Sequence, residues 1–142
     1  MQTREDLLEL INELSDVLAM LLELKRQGKY QDAVKLIDSK VLEHFATDKE
    51  YLSSVSEDLL VDALKNEKGL SLSELSKLAE LLVEKGDIQY TQQDFRNSKK
   101  ALKNALTLYY FLNEDQDFFS FQNMNKMLLI NDKLRKIQVK ID

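Results

Sequence analysis

The chain of 142 residues has no cysteine and no proline, only three glycines and a single histidine. Without cysteine there is no disulfide framework, no thiolate zinc site and no cysteine nucleophile. A cysteine-free chain suits a reducing compartment. With glycine only at Gly28, Gly69 and Gly86, the turn dipeptides and β-branched alternation that mark hairpins and strands do not occur. His44 cannot supply a second imidazole ligand. Glu43 beside it and Asp48 one turn on are ordinary neighbours on a charged helix. The longest strictly apolar run is VLAMLL, Val17 to Leu22, far short of the ~20 residues of a membrane span. Arg4, Glu5 and Asp6 mix charge where a secretory leader would carry a basic stretch and an apolar core. The expectation is a soluble chain located in the cytoplasm, without a leader or membrane partner.

Catalytic signatures are missing too. No phosphate loop, nucleophile elbow or zinc motif appears, nor the Glu-x-x-His pairs of two-iron bundles. Glu9, Glu13 and Asp16 form an acidic row at i, i+4 and i+7, and Glu80, Glu84 and Asp87 repeat it. Paired carboxylates do acid/base work only where burial separates their pKa values, so these rows read as solvated helix faces. The expectation is no enzyme, no cofactor, no metal and no small-molecule substrate.

What the sequence does have is helical apolar spacing along its whole length. It predicts an all-α single domain over 1–142, with six helices in antiparallel hairpins. Helix one runs from about Thr3 to Gln27, opened by a Thr3/Asp6 capping arrangement. Its Leu7, Ile11, Leu14, Leu18 and Leu21 share one seam, flanked by Leu10, Val17 and Leu24. Gly28 ends it in the left-handed conformation of a C-cap. Helix two, about Tyr30 to Phe45, turns Tyr30, Ala33, Val34, Ile37, Val41 and Phe45 inward. One inserted helix lies within 48–66, with TDKE at Thr47 and SVSE at Ser54 as rival starts. SLSE at Ser71 opens helix four, which continues through Gly86 to about Gln92. Helix five spans about Asp94 to Leu112, with Phe95, Ala101, Leu102, Ala105, Leu106 and Tyr109 inward. Helix six spans about 117–140, with Met127, Ile130, Leu134, Ile137 and Ile141 on its seam.

In GKYQDAVKLI, a glycine ends one helix while an aromatic and a small residue stand one turn apart on the next. This resembles the tetratricopeptide-repeat hairpin at Gly28, Tyr30 and Ala33. A second match lies at GDIQYTQQDFRNSKKALKNAL. Gly86 resembles the family's glycine within the first helix, Phe95 the turn aromatic and Ala105 the late small residue. The match departs at Gln93, where the turn has glycine, at Ser98, where it has a close-approach alanine, and at Lys40 in the first unit. The turn aromatics are 65 residues apart, against a repeat period of ~34. The reading is therefore two hairpin units, about 5–46 and 71–112, with a helix inserted between them. The span from about Asp6 to Leu112 is also similar to a family of small bacterial helical proteins to which no activity is assigned. These resemblances imply a superhelical fold and no activity, since function does not follow from fold. The face that lines the groove of such proteins offers Leu18 and Leu22 on helix one, and Val83, Asp87 and Tyr90 on helix four. The helix-one face is expected to be covered by helix six or by a second subunit.

Charge is divided unevenly. Residues 1–95 hold 11 Lys/Arg against 20 Asp/Glu, and residues 96–142 hold 9 against 5. Two mutually attracting surfaces account for this. Lys99, Lys100 and Lys103 suit a nucleic-acid patch, but no interleaved aromatics support one. The most unusual stretch is YYFLNEDQDFFSF, Tyr109 to Phe121, which holds six of the eleven aromatics. It reads as a packed corner or as a partly exposed platform, and exposed aromatics anchor interfaces. The leading expectation is a non-catalytic module that binds a partner helix or peptide through Tyr90, Tyr109, Tyr110, Phe118 and Phe119. The alternative is a homo-oligomer joined through the helix-one and helix-six seams, and nucleic-acid binding is a distant third.

Overall fold

The computed structural model describes residues 4–141, all of its regular structure helical. In chain order these are α1 (Arg4–Arg26), α2 (Tyr30–Phe45), α3 (Lys49–Ser54), α4 (Glu57–Asp62), a π-helical segment (Ala63–Glu67), α5 (Leu72–Thr91), α6 (Phe95–Asn113) and α7 (Phe121–Ile141). The Thr3 cap expected for α1 lies outside the described residues.

The two long hairpins close with the same chemistry. After α1, Gly28 stands at φ +73°, with Gly28 N donating to Lys25 O and Lys29 N to Leu24 O. After α5, Gln93 takes that place at φ +64°. Gln93 N donates to Tyr90 O, and Asp94 N to Gln89 O. Both are Schellman caps, in which a left-handed residue lets two amides reach back to orphan helix carbonyls. Glycine adopts that conformation freely, while glutamine carries the strain of a Cβ. Ser71 opens α5 with a complete capping box, its hydroxyl accepting from Glu74 N and the Glu74 carboxylate accepting from Ser71 N.

α5 is the central element. It packs on α6, α2 and the π segment, while α7 lies along α6 and α4 against α6. Leu75, Leu78, Ala79, Leu81 and Leu82 of α5 are all sealed from solvent, joining Leu14, Val17 and Leu21 of α1 and Ile37 and Phe45 of α2 in one core. α5 and α6 approach closely at Gly86. A Cβ there would lie 2.6 Å from Leu102 Cγ, and the buried Ser98 hydroxyl donates to Gly86 O at 2.7 Å. The serine that departs from the repeat pattern is thus small enough for the crossing and has its polar group satisfied.

Three boundaries differ from the sequence reading. The single inserted helix is two short helices and a π segment. Asp48, not Thr47, caps α3 by accepting from Tyr51 N, and α4 begins after Ser56 rather than Ser54. Helix six starts at Phe121, four residues later than expected. Asp115 Oδ1 accepts from Asp117 N in a tight turn, and Ser120 Oγ then caps α7 through Asn123 N. Of its seam, Ile130 and Ile137 are buried, whereas Ile141 is 38% exposed.

Candidate functional site

The five aromatics expected to bind a partner do not form one surface. Tyr109 is 1% exposed and belongs to the core. Burial, with Glu80 and Glu84 nearby, pushes its phenol well above the usual tyrosine range. This removes Tyr109 from the docking set. Tyr90 is half-buried, edge-on to Phe95 at 5.5 Å, with Lys133 Nζ 5.0 Å from its ring centre. It therefore works in the α5–α6–α7 junction. Phe118 is half-buried against the core. Tyr110 and Phe119 are about half exposed, at 51% and 49%.

Beside Phe119 lies a surface the sequence reading did not single out. Phe121 contacts Phe119 edge to face, at 6.0 Å between ring centres, and is 78% exposed. Met124 and Leu128 follow on α7, with Leu128 65% exposed. Their i, i+3, i+7 spacing puts all three on one helix face, opposite the face that buries Ile130 and Ile137. The signal was present in FQNMNKML, masked by a stronger inward seam one position away.

A second apolar flank lies on α1. Leu8, Leu18 and Leu22 are exposed, Leu22 to 67%. The expectation that the C-terminal helix covers this flank is corrected, since α7 packs along α6.

The residues of the repeat pattern are structural. Ala33 and Ala105 are fully buried at helix crossings, and Tyr30 and Phe95 pack against the core at the two turns. The acidic row of α5 is not a simply solvated face. Glu80 faces Lys126 at 3.8 Å, Glu84 faces Lys25 at 3.5 Å, and Asp87 accepts from Lys133 at 2.8 Å. Lysines from α1 and α7 thus converge on the central helix from both sides. The α2 carboxylate of Asp38 meets Lys85 of α5 at 2.6 Å.

Glu13, Glu43 and His44 bring three potential ligand atoms within 4.8 Å of one another. Lys40 Nζ sits 3.1 Å from both carboxylates, and His44 Nε2 is 3.1 Å from Glu13. The cation of this cluster is the lysine, and the cluster ties α2 to α1. The Lys40 ammonium hydrogen-bonded to it, and then the nearby His44 imidazole, hold the Glu13 carboxyl below the usual carboxylate range. Contact with Glu43 and then Glu13 holds the Lys40 ammonium above its own. Among the described residues no helix is long and apolar enough to cross a membrane.

Comparison with protein families, with curated proteins and with solved structures finds no match for this chain.

Proposed function

We propose that this chain is a non-catalytic protein-interaction module with a tetratricopeptide-like order of hairpins, binding an amphipathic partner helix on the outer face of α7. The carrying observation is the exposed stripe of Phe121, Met124 and Leu128 with Phe119 beside it. Contiguous apolar surface of this kind is costly in water and marks interaction sites, with an aromatic as the natural anchor. The i, i+3, i+7 spacing presents a groove-and-ridge pattern that a second helix can interlock with. The matching turns at Gly28 and Gln93, 65 positions apart, support the hairpin order.

The uncovered flank of Leu8, Leu18 and Leu22 on α1 favours a second reading, in which the chain assembles with itself. The discriminating experiment places a photo-crosslinking phenylalanine analogue at Phe121 in cells and measures solution mass across a concentration series. A crosslink to another protein, lost in Met124→Lys/Leu128→Lys while the urea midpoint stays unchanged, supports the α7 docking surface. A crosslink only to a second copy, together with a dimer mass, replaces it with self-assembly. No crosslink from a folded monomer overturns both.

A further inference from the structure

α2 and α3 face α5 and α6 across a cleft of about 520 Å³. A second cleft of about 400 Å³ runs between the α3–α4 junction and α6. The two share Ser53, Lys100 and Asn104 as walls and so adjoin as the two parts of one groove.

Its first part is lined by the side-chain amides of Gln31, Gln89, Gln92, Asn97 and Asn104, together with four lysines and the carboxylates of Asp38, Glu50 and Asp94. Gln89 is 5% exposed and Asn104 6%. Asn104 Nδ2 donates to Leu52 O at 3.3 Å, across the groove wall. Gln89 Oε1, however, is buried with no hydrogen-bond partner among the described residues. A buried acceptor left unsatisfied costs about 1–3 kcal/mol, so it marks a place where a donor belongs. Each amide side chain offers one acceptor and two donors, the complement of the alternating N–H and C=O of an extended peptide backbone.

The second part is basic. Arg96, Lys99, Lys100 and Lys103 line it against a single carboxylate, Glu57. Lys99 donates to Gln138 at 3.1 Å and Lys103 lies 3.6 Å from Glu57. Arg96 and Lys100 have no ion-pair partner among the described residues. Exposed like charges on one helix face repel one another, and an anionic ligand would relieve that repulsion. The groove lining contains no aromatic residue. Sequence-tolerant binding of single-stranded nucleic acid relies on aromatic stacking platforms, so amides followed by cations fit a peptide better than a nucleotide chain.

We infer that this groove binds an extended acidic peptide segment of a partner protein, its main chain held by Gln89, Gln92 and Asn104 and its carboxylates by Arg96, Lys100 and Lys103. The surface is separate from the α7 stripe and stands whether or not that stripe docks a helix.

The test is fluorescence anisotropy of a labelled oligo-glutamate peptide on the full chain, beside an oligo-glutamine peptide and oligo-deoxythymidylate. Arg96→Glu/Lys100→Glu is expected to weaken oligo-glutamate binding by about tenfold or more, because charge-assisted contacts are lost and reversed. The charge-matched control Lys136→Glu/Lys140→Glu on α7 is expected to weaken it clearly less than the groove double, since neither lysine lines the groove. Gln89→Leu is expected to weaken the peptide by about threefold and raise the urea midpoint, removing the orphan acceptor. Gln92→Ala, at an exposed position, repeats the affinity measurement should Gln89→Leu not fold. Equal losses in the two charge doubles, equal affinity for oligo-deoxythymidylate, no oligo-glutamate binding, or unchanged affinity in the amide variants would overturn the inference.

Discussion

The two hairpins, α1–α2 and α5–α6, share their turns but not their interiors. Position for position at a separation of 65, Leu10 matches Leu75, Val17 matches Leu82 and Ile37 matches Leu102, all buried. The turns close with the same hydrogen bonds. Yet Leu21 of α1 stands where α5 has Gly86. The polar group Glu13, Lys40, Glu43 and His44 stands where the second hairpin has Leu78, Ala105, Leu108 and Tyr109. All four of those are buried, with α4 and α7 packed on α6 and the π segment on α5. One hairpin is thus held at this edge by charge in contact with solvent, the other by apolar packing. The shared part is the turn, whose chemistry is local, and the divergent part is whatever each face is covered by.

The largest effect should come from exchanging the crossing residues. Gly86→Leu drives four heavy atoms into a space where even a Cβ meets Leu102 at 2.6 Å. Overpacking of this kind costs about 3 kcal/mol, or more where the neighbour cannot move, and Leu102 is fully buried. The reciprocal Leu21→Gly leaves a cavity at a 1% exposed site and adds a helix penalty, for a loss of about 4 kcal/mol. Urea unfolding measures both. A Gly86→Leu variant as stable as the parent would show that the second hairpin is not held by close approach at this crossing.

A smaller and opposite-signed pair tests the shared turn. Gly28→Ala puts a Cβ at φ +73° with nothing within 4 Å of it, so only backbone strain acts, and a loss of about 1 kcal/mol is expected. Gln93→Gly removes the same strain from the second turn, partly offset by the added freedom of the unfolded chain. A gain of about 0.5–1 kcal/mol is expected. Changes of the same sign in the two urea midpoints would mean that the turns are not equivalent.

The Gly28 turn and the Ser71 cap were legible because their signals are local. SLSE contains both halves of the capping box that opens α5, and the apolar spacing alone places the inward faces of α2 and α6. The start of α7 was not legible. An Asx turn at Asp115 and a cap at Ser120 outweigh the helical pattern that runs on through Phe118 and Phe119. Tyr109 and Tyr110 are neighbours in sequence with opposite fates, one sealed and one half exposed. Sequence reading counted both as candidates for one surface, because burial at the end of α6 depends on which side α5 and α7 occupy. The groove is less legible still. Its walls come from α2, α3, α5 and α6, and no spacing within any one of them announces it.

The smallest effect, and the one most specific to the first hairpin, is its response to acid. Glu13 is held below its ordinary value of 4.5 by Lys40 and His44, so the folded state binds its proton less readily than the unfolded chain. A carboxylate depressed in this way contributes stability that is present above the unfolded value and is lost as pH falls through the folded one. Lys40 is displaced the other way, above 10.5, so its contribution is complete below that value and disappears only as pH rises past the folded one. The network therefore acts across the neutral range and fails first on the acid side. Its partners are solvent-accessible, so salt screens it. Leu78, Ala105 and Leu108 offer nothing to titrate at the equivalent place. Hydrogen exchange between neutral pH and about pH 3 should therefore show α1–α2 amides losing protection before those at the α5–α6 crossing. Glu13→Gln should lower α1–α2 protection already at neutral pH and leave the α5–α6 amides unmoved. Simultaneous loss in both hairpins would mean that the core through Leu21, Ile37 and Leu82 binds them into one cooperative unit, too tightly for this network to be felt on its own.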